Sequence, residues 1–207
     1  MAATREIFES APSQGAPFGV VALVASAGGL NALTRVLAPL PANFPVPVVV
    51  LQHLSPKHRS YMADILGRRS QLCIRQAGDG DCLEAGVVFT APPNHHMLIR
   101  PGGVLALTST ERVHFVRPSA DVLLESIAQV FGRRAVAVVL SGAGSDGAAG
   151  VRMIKQSGGT VIVQDEATSE FFGMPGAAIG MGVVDFILPL EEIAPALVML
   201  AMHGETA

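Results

Sequence analysis

The chain has 207 residues, half of them hydrophobic and 15% charged, so one domain with a large core is expected. A formal net charge of −3 at pH 7 argues against general nucleic-acid binding, which wants a basic face. Cys73 and Cys82 are too few to frame a disulfide scaffold, and no window reaches the ~18 uninterrupted apolar residues of a membrane span. With no apolar leader either, a cytoplasmic protein without direct membrane insertion is expected.

Residues 1–17 are polar, carry Pro12 and Pro17, and read as a flexible lead-in to a domain over 18–204. Gly19–Ser26 is a continuous apolar, β-branched run, the pattern of a strand buried on both faces of a parallel sheet. A helix follows, with Leu30, Leu33, Val36 and Leu37 on one side and Pro39 ending it. Val46–Gln52 reads as a second buried strand and Arg59–Arg69 as a helix. From Gln71 to Thr110 the runs are short and broken by Gly, Pro and Asn, which signals strands and hairpins, with a turn at Pro101-Gly102-Gly103.

Helical spacing returns at Ser119–Arg133, where Ser119 can cap the first turn. Ala135–Leu140 is a third core strand. The glycine-rich loop Ser141–Gly147 leads into a helix that Gly158-Gly159 stops, and a fourth core strand follows at Thr160. Pro189–Met202 reads as a terminal helix. The alternation defines an α/β fold: a doubly wound, mostly parallel sheet with an antiparallel β-rich subsection in the middle of the chain.

Open α/β sheets bind ligands outside the carboxyl ends of their strands. The polar residues at those ends are Ser26; Gln52 and His53; Ser141, Ser145 and Asp146; Gln164, Asp165 and Glu166. A serine, a histidine and an aspartate on three strand ends form the inventory for acyl transfer. The hydroxyl needs a neutral imidazole to take its proton, and the imidazole needs a carboxylate to fix its tautomer. Activity should therefore rise with pH as imidazole loses its proton. Gly28-Gly29 would permit the tight turn such a serine needs.

Each residue also has a plainer reading, Ser26 and Asp146 as helix caps and His53 as a structural histidine. The nucleophile-elbow pattern is incomplete, because Val24 stands at its first glycine. Val24 and Ser26 also break the dinucleotide-loop pattern, and no lysine follows Ser141–Gly147 as in a P-loop. His95 and His96 are adjacent and would face opposite sides of a strand, so no shared metal is expected. Lys57, His58, Arg59, Arg68 and Arg69 form a basic cluster near His53, a solvated face or a receiver for an acidic protein substrate.

The segments Val24–Gly29, Val48–Pro56, Phe89–Ile99, Arg117–Ser126, Val138–Gly150 and Val163–Leu190 resemble the catalytic domain of CheB, the bacterial chemotaxis protein-glutamate methylesterase. The resemblance implies a Ser-His-Asp triad at Ser26, His53 and Asp146. It implies hydrolysis of glutamate γ-methyl esters on chemoreceptor helices, deamidation of some glutamines, and no cofactor. Main-chain groups around Ala27, Gly28 and Gly144 are expected to support the oxyanion and its loops.

The sequence departs from the family pattern at Val24, usually glycine, at Ala27, usually threonine, and at Ala143, usually methionine. A main-chain oxyanion donor survives these changes, whereas a lost side-chain donor would cost about 10²–10³ in rate. The alternative is a weakened member that only binds a receptor or signalling partner. Some 18 residues precede the first strand, too few for the family's usual phospho-receiver domain. Control is therefore expected from a separate regulatory protein, or activity is constitutive.

Overall fold

The computed structural model describes residues 19–54 and 59–203. The lead-in over 1–17, Lys57 and His58 of the basic cluster, and residue 204 at the end of the expected domain lie outside the described residues.

Strands β1 (Val20–Ala25), β2 (Val48–Gln52), β3 (Cys73–Gln76), β4 (Val87–Thr90), β7 (Ala135–Val139), β8 (Thr160–Gln164) and β9 (Phe186–Leu188) form one sheet in the order β3-β4-β2-β1-β7-β8-β9. Every pairing in it is parallel. β5 (His96–Arg100) and β6 (Val104–Thr108) pair separately as an antiparallel hairpin. Its turn is the expected Pro101-Gly102-Gly103, with φ of 84° and 75° at the two glycines.

The helices are α1 (Gly29–Leu37), α2 (Met62–Gly67), α3 (Ala120–Phe131), α4 (Ala148–Gln156), α5 (Gly173–Gly180) and α6 (Leu190–His203). β1 shows why the central strands form. Val21, Leu23 and Ala25 join the core beneath α1 and α6, while Val20, Ala22 and Val24 join the core beneath α3, α4 and α5. A strand with both faces covered must be apolar at every position, and each Val or Leu so buried contributes about 1.5–3 kcal/mol.

The expected fold class holds: a mostly parallel main sheet, which β3 and β4 extend, with the antiparallel β5–β6 hairpin in the middle of the chain. Two local expectations need correction. Leu30, expected on the apolar side of α1, is 38% exposed. α2 is shorter than Arg59–Arg69, with Met62 and Leu66 as its buried anchors.

After β1 the chain moves to one side, to β2; after β7 it moves to the other, to β8. The switch point therefore lies between β1 and β7. There the loops diverge and leave a crevice at the carboxyl edge.

Candidate active site

Ser26 follows β1 directly and is half-buried. Its backbone is held from three directions. Ser26 N–H donates to the Ser141 carbonyl (3.0 Å), and its carbonyl accepts from Gly29 N–H (2.9 Å) and from Gln52 Nε2 (2.5 Å). Gly28 precedes α1 at φ 73°, in the left-handed region that glycine tolerates. Its surroundings forbid a side chain as well, since a Cβ there would lie 2.8 Å from Ser141 Oγ and 2.9 Å from Glu170 Oε2. Ser26 thus sits on a tight strand-to-helix turn, not at the N-cap, which is Gly28. It opens onto a cleft of about 510 Å³ bounded by Leu30, Asn31, Ile65, Arg69 and Glu170.

Gly29→Ala tests this anchoring. Its Cβ would overlap Gln52 Oε1 and lie 2.6 Å from the Ala25 Cβ, both in the buried floor of the turn. A loss of about 1–3 kcal/mol in stability is expected from such overpacking, measured by urea denaturation. Because Gln52 holds the Ser26 carbonyl, activity should fall too.

The register pairing Ala25 with Gln52 carries His53 to the level of Ser26, and His53 N–H donates to the Ala25 carbonyl (3.2 Å). The His53 side chain is 15% exposed, and its Nε2 lies 2.8 Å from Asp146 Oδ2. Asp146 is 5% exposed. Burial alone would raise its pKa, but hydrogen bonds from His53, Ala120, Ser119 and Asp121 outweigh burial and hold it below the usual carboxylate value. An ionised Asp146 accepts, so Nε2 carries the proton and Nδ1 is left as the acceptor nitrogen.

Asp146 does not cap the helix that follows it, and Ser119 holds the N-cap position of α3 without a cap bond from its own side chain. The caps are exchanged. Asp146 accepts from Ala120 N–H (2.6 Å), Asp121 N–H (3.2 Å) and Ser119 Oγ (2.7 Å) at the start of α3. Asp121 in turn accepts from Gly147 N–H (3.0 Å) and Gly150 N–H (2.7 Å) at the start of α4. Each carboxylate lies at the positive end of the other's helix. Burial, with Asp146 nearby, raises the Asp121 pKa despite the bond from Gly150. This reciprocal clamp fixes the loop that carries Asp146.

Val24 is wholly buried against α3 and α4. The Ala27 carbonyl accepts from Ser141 Oγ (2.8 Å). Gly144 is exposed at φ 85°, in a loop braced by α5, where Met174 N–H donates to the Gly142 carbonyl (2.8 Å). Arg69 borders the Ser26 cleft. Arg59 stacks over Tyr61 (5.5 Å), and Arg68 is exposed away from the cleft lining. His96 is buried and structural, bonded to the Glu111 carbonyl and Ser119 N–H. The sequence marks Gln52, Ser141 and Gln164 only as strand-end polar residues. They are struts: Gln164 Oε1 accepts Ser141 N–H (2.8 Å), and Ser141 holds the Ser26 turn.

A parallel α/β sheet with serine, histidine and buried carboxylate at its switch point has the layout of an α/β serine hydrolase. The model of the CheB methylesterase family matches residues 21–197. The chain is 44% identical over 193 residues to protein-glutamate methylesterase/protein-glutamine glutaminase 2 of Anaeromyxobacter dehalogenans, covering 93% of this chain and 56% of that protein. A relative from Leptospira interrogans is 38% identical, with 90% of this chain and 97% of its own length covered. The crystal structure of the Thermotoga maritima CheB methylesterase catalytic domain superposes with a TM-score of 0.86 at 34% identity, over 89% of this chain and 99% of that one. The chain belongs to the CheB methylesterase family. It spans about half the length of some curated relatives, 56% and 49% in two of them.

Proposed function

We propose that this chain hydrolyses glutamate γ-methyl esters, and glutamine side-chain amides, on the cytoplasmic helices of a methyl-accepting chemoreceptor. The observation that carries the reading is the His53 Nε2 to Asp146 bond, at 2.8 Å, beside Ser26 on the adjacent strand end. His53 Nδ1 takes the Ser26 hydroxyl proton as Oγ bonds to the acyl carbon. The C–O bond to methoxide breaks, and His53 returns the proton, so methanol leaves. Water then attacks the acyl-serine with the same base and frees a glutamate carboxylate. With an amide the leaving group is ammonia.

Asp146 holds the tautomer and stabilises the imidazolium. The oxyanion falls to main-chain N–H groups around Ala27 and Gly28, at the positive end of α1. Ala27 serves there as well as threonine would through its backbone. No helix among the described residues is long and apolar enough to cross a membrane, which suits a cytoplasmic enzyme.

A fluorophosphonate probe tests the reading. Covalent labelling at Ser26, blocked by Ser26→Ala, is expected. A folded wild-type protein that resists the probe would instead be a binding module.

A further inference from the structure

Between β6 and α3 the chain makes a tight turn that the proposed chemistry leaves unused. Val113 and Val116 exchange two backbone bonds, Val113 N–H to the Val116 carbonyl (3.2 Å) and the reverse (3.0 Å). Between them His114 and Phe115 have φ of 49° and 65°. Positive φ at both central residues is the type I′ geometry, which favours Asn-Gly. A bulky aromatic there is a strained outlier. The fold gains nothing from the ring, because Phe115 is 94% exposed. Strain kept without a packing return is characteristic of functional positions.

The turn is also rigidly founded and well placed. Arg117 donates to the Asn94 side chain (2.7 Å) and to the Ser109 and Thr110 carbonyls (2.7 Å each). His114 Nε2 lies 3.4 Å from Asp121 Oδ2. Phe115 shares with His53, Leu54 and Arg112 the wall of a recess of only about 100 Å³. That space suits part of one side chain, not a separate small-molecule ligand. The Ser26 cleft offers exposed Leu30 and Ile65 with Arg69. Each of the two recesses, one walled by Ser26 and one by His53, therefore carries an apolar side chain and an arginine, with Glu170 also in the Ser26 cleft.

We propose that Phe115 and Arg112 form a docking element for an acidic protein helix carrying the reacting glutamate. This rests on the reading of Ser26 as the esterase nucleophile. Phe115 packs on a side chain near the ester, and Arg112 faces neighbouring carboxylates. Each turnover turns a neutral ester into a carboxylate, so a segment with several such sites becomes steadily more acidic. The arginines of the two recesses, Arg69 and Arg112, complement it.

The test uses two helical peptides bearing a glutamate γ-methyl ester, one flanked by glutamates and one by lysines, with a fluorophosphonate as small probe. Wild type is expected to prefer the acidic peptide by about 10-fold in kcat/KM, and Arg112→Ala to lose most of that preference. Phe115→Gly should lower kcat/KM on the acidic peptide by about 10-fold or more, as expected when an interface anchor is lost. Labelling of Ser26 by the small probe, which does not extend to the ring, should proceed at the wild-type rate. Because glycine relieves the turn, the melting temperature should rise, by about 2–4 °C for ~1 kcal/mol.

Unchanged kcat/KM on the acidic peptide overturns the docking role. A parallel fall in labelling also overturns it, since the turn would then act on His53 or Ser26. If wild type fails to label at all, the esterase reading falls and takes the inference with it.

Discussion

Ser26→Ala is expected to reduce methanol release from a methyl-esterified substrate by about 10⁶-fold, on the precedent of nucleophile loss in a serine protease. What residual rate survives over water would come from oxyanion donors and binding alone. The protein should stay folded. Among the described residues, every anchor of Ser26 is made by its backbone: the bond to the Ser141 carbonyl, and those from Gly29 N–H and Gln52 Nε2 to its own carbonyl. Alanine keeps all three and fits a turn whose only left-handed residue is Gly28. The thermal midpoint should therefore move little, as for substitutions outside packed or buried polar networks. Full activity in Ser26→Ala, measured by methanol assay, would show that another group attacks the ester. Loss of activity with loss of fold would show that the side chain, not the backbone, holds the turn.

The layout of this edge was legible in the sequence for a simple reason. A strand buried on both faces must be apolar throughout, so the first polar residue after it marks the carboxyl edge. Ser26 and Ser141 follow β1 and β7 in that way, His53 follows Gln52, the polar last residue of β2, and all lie at that edge. The direction of β3 and β4 was not legible. Cys73–Gln76 is an edge strand with exposed or half-exposed residues, and short runs separated by turns look like hairpins from either side. What makes them parallel is the α2 crossover before β3 and the loop before β4, which no local pattern states.

β9 is three residues long and mostly exposed, below any useful periodicity. The exchanged caps of Asp146 and Asp121 were hidden for a different reason. A capping residue is normally sought beside its own helix, whereas these two are 25 residues apart and reach across. Gln52 was noted only by position, because nothing local tells a strand-end glutamine that holds a carbonyl from one that faces solvent.

The exchange gives Asp146→Asn two separable consequences. The first is kinetic. In a serine protease the equivalent change costs about 10⁴ in kcat by spoiling the histidine tautomer, and a fall of that order is expected here. The second is structural, because among the described residues Asp146 meets four donors: His53 Nε2, Ser119 Oγ and the N–H groups of Ala120 and Asp121. An amide nitrogen accepts nothing. If the Asn oxygen takes the place of Oδ2, it keeps His53 and Ala120; the Ser119 hydroxyl can rotate to accept, and Asp121 N–H is left without its bond. If it takes the place of Oδ1, both His53 and Ala120 lose theirs. Either way α3 loses a buried cap and the charge at its N-terminus, at a cost of about 1–3 kcal/mol.

That cost should depend on pH with a definite sign. The folded-state pKa of Asp146 is held below its ordinary value. Its contribution is therefore fully present above the unfolded carboxylate pKa and lost as pH falls through the folded one. Wild type and Asp146→Asn should differ most in stability near neutral pH and converge in acid. Urea denaturation at several pH values checks this. A gap that stayed constant into acid would mean that the carboxylate's charge contributes nothing to the clamp. The kinetic loss would then rest on the His53 tautomer alone, whereas convergence would mean that one ionised oxygen pair both orients His53 and ties α3 to the loop before α4.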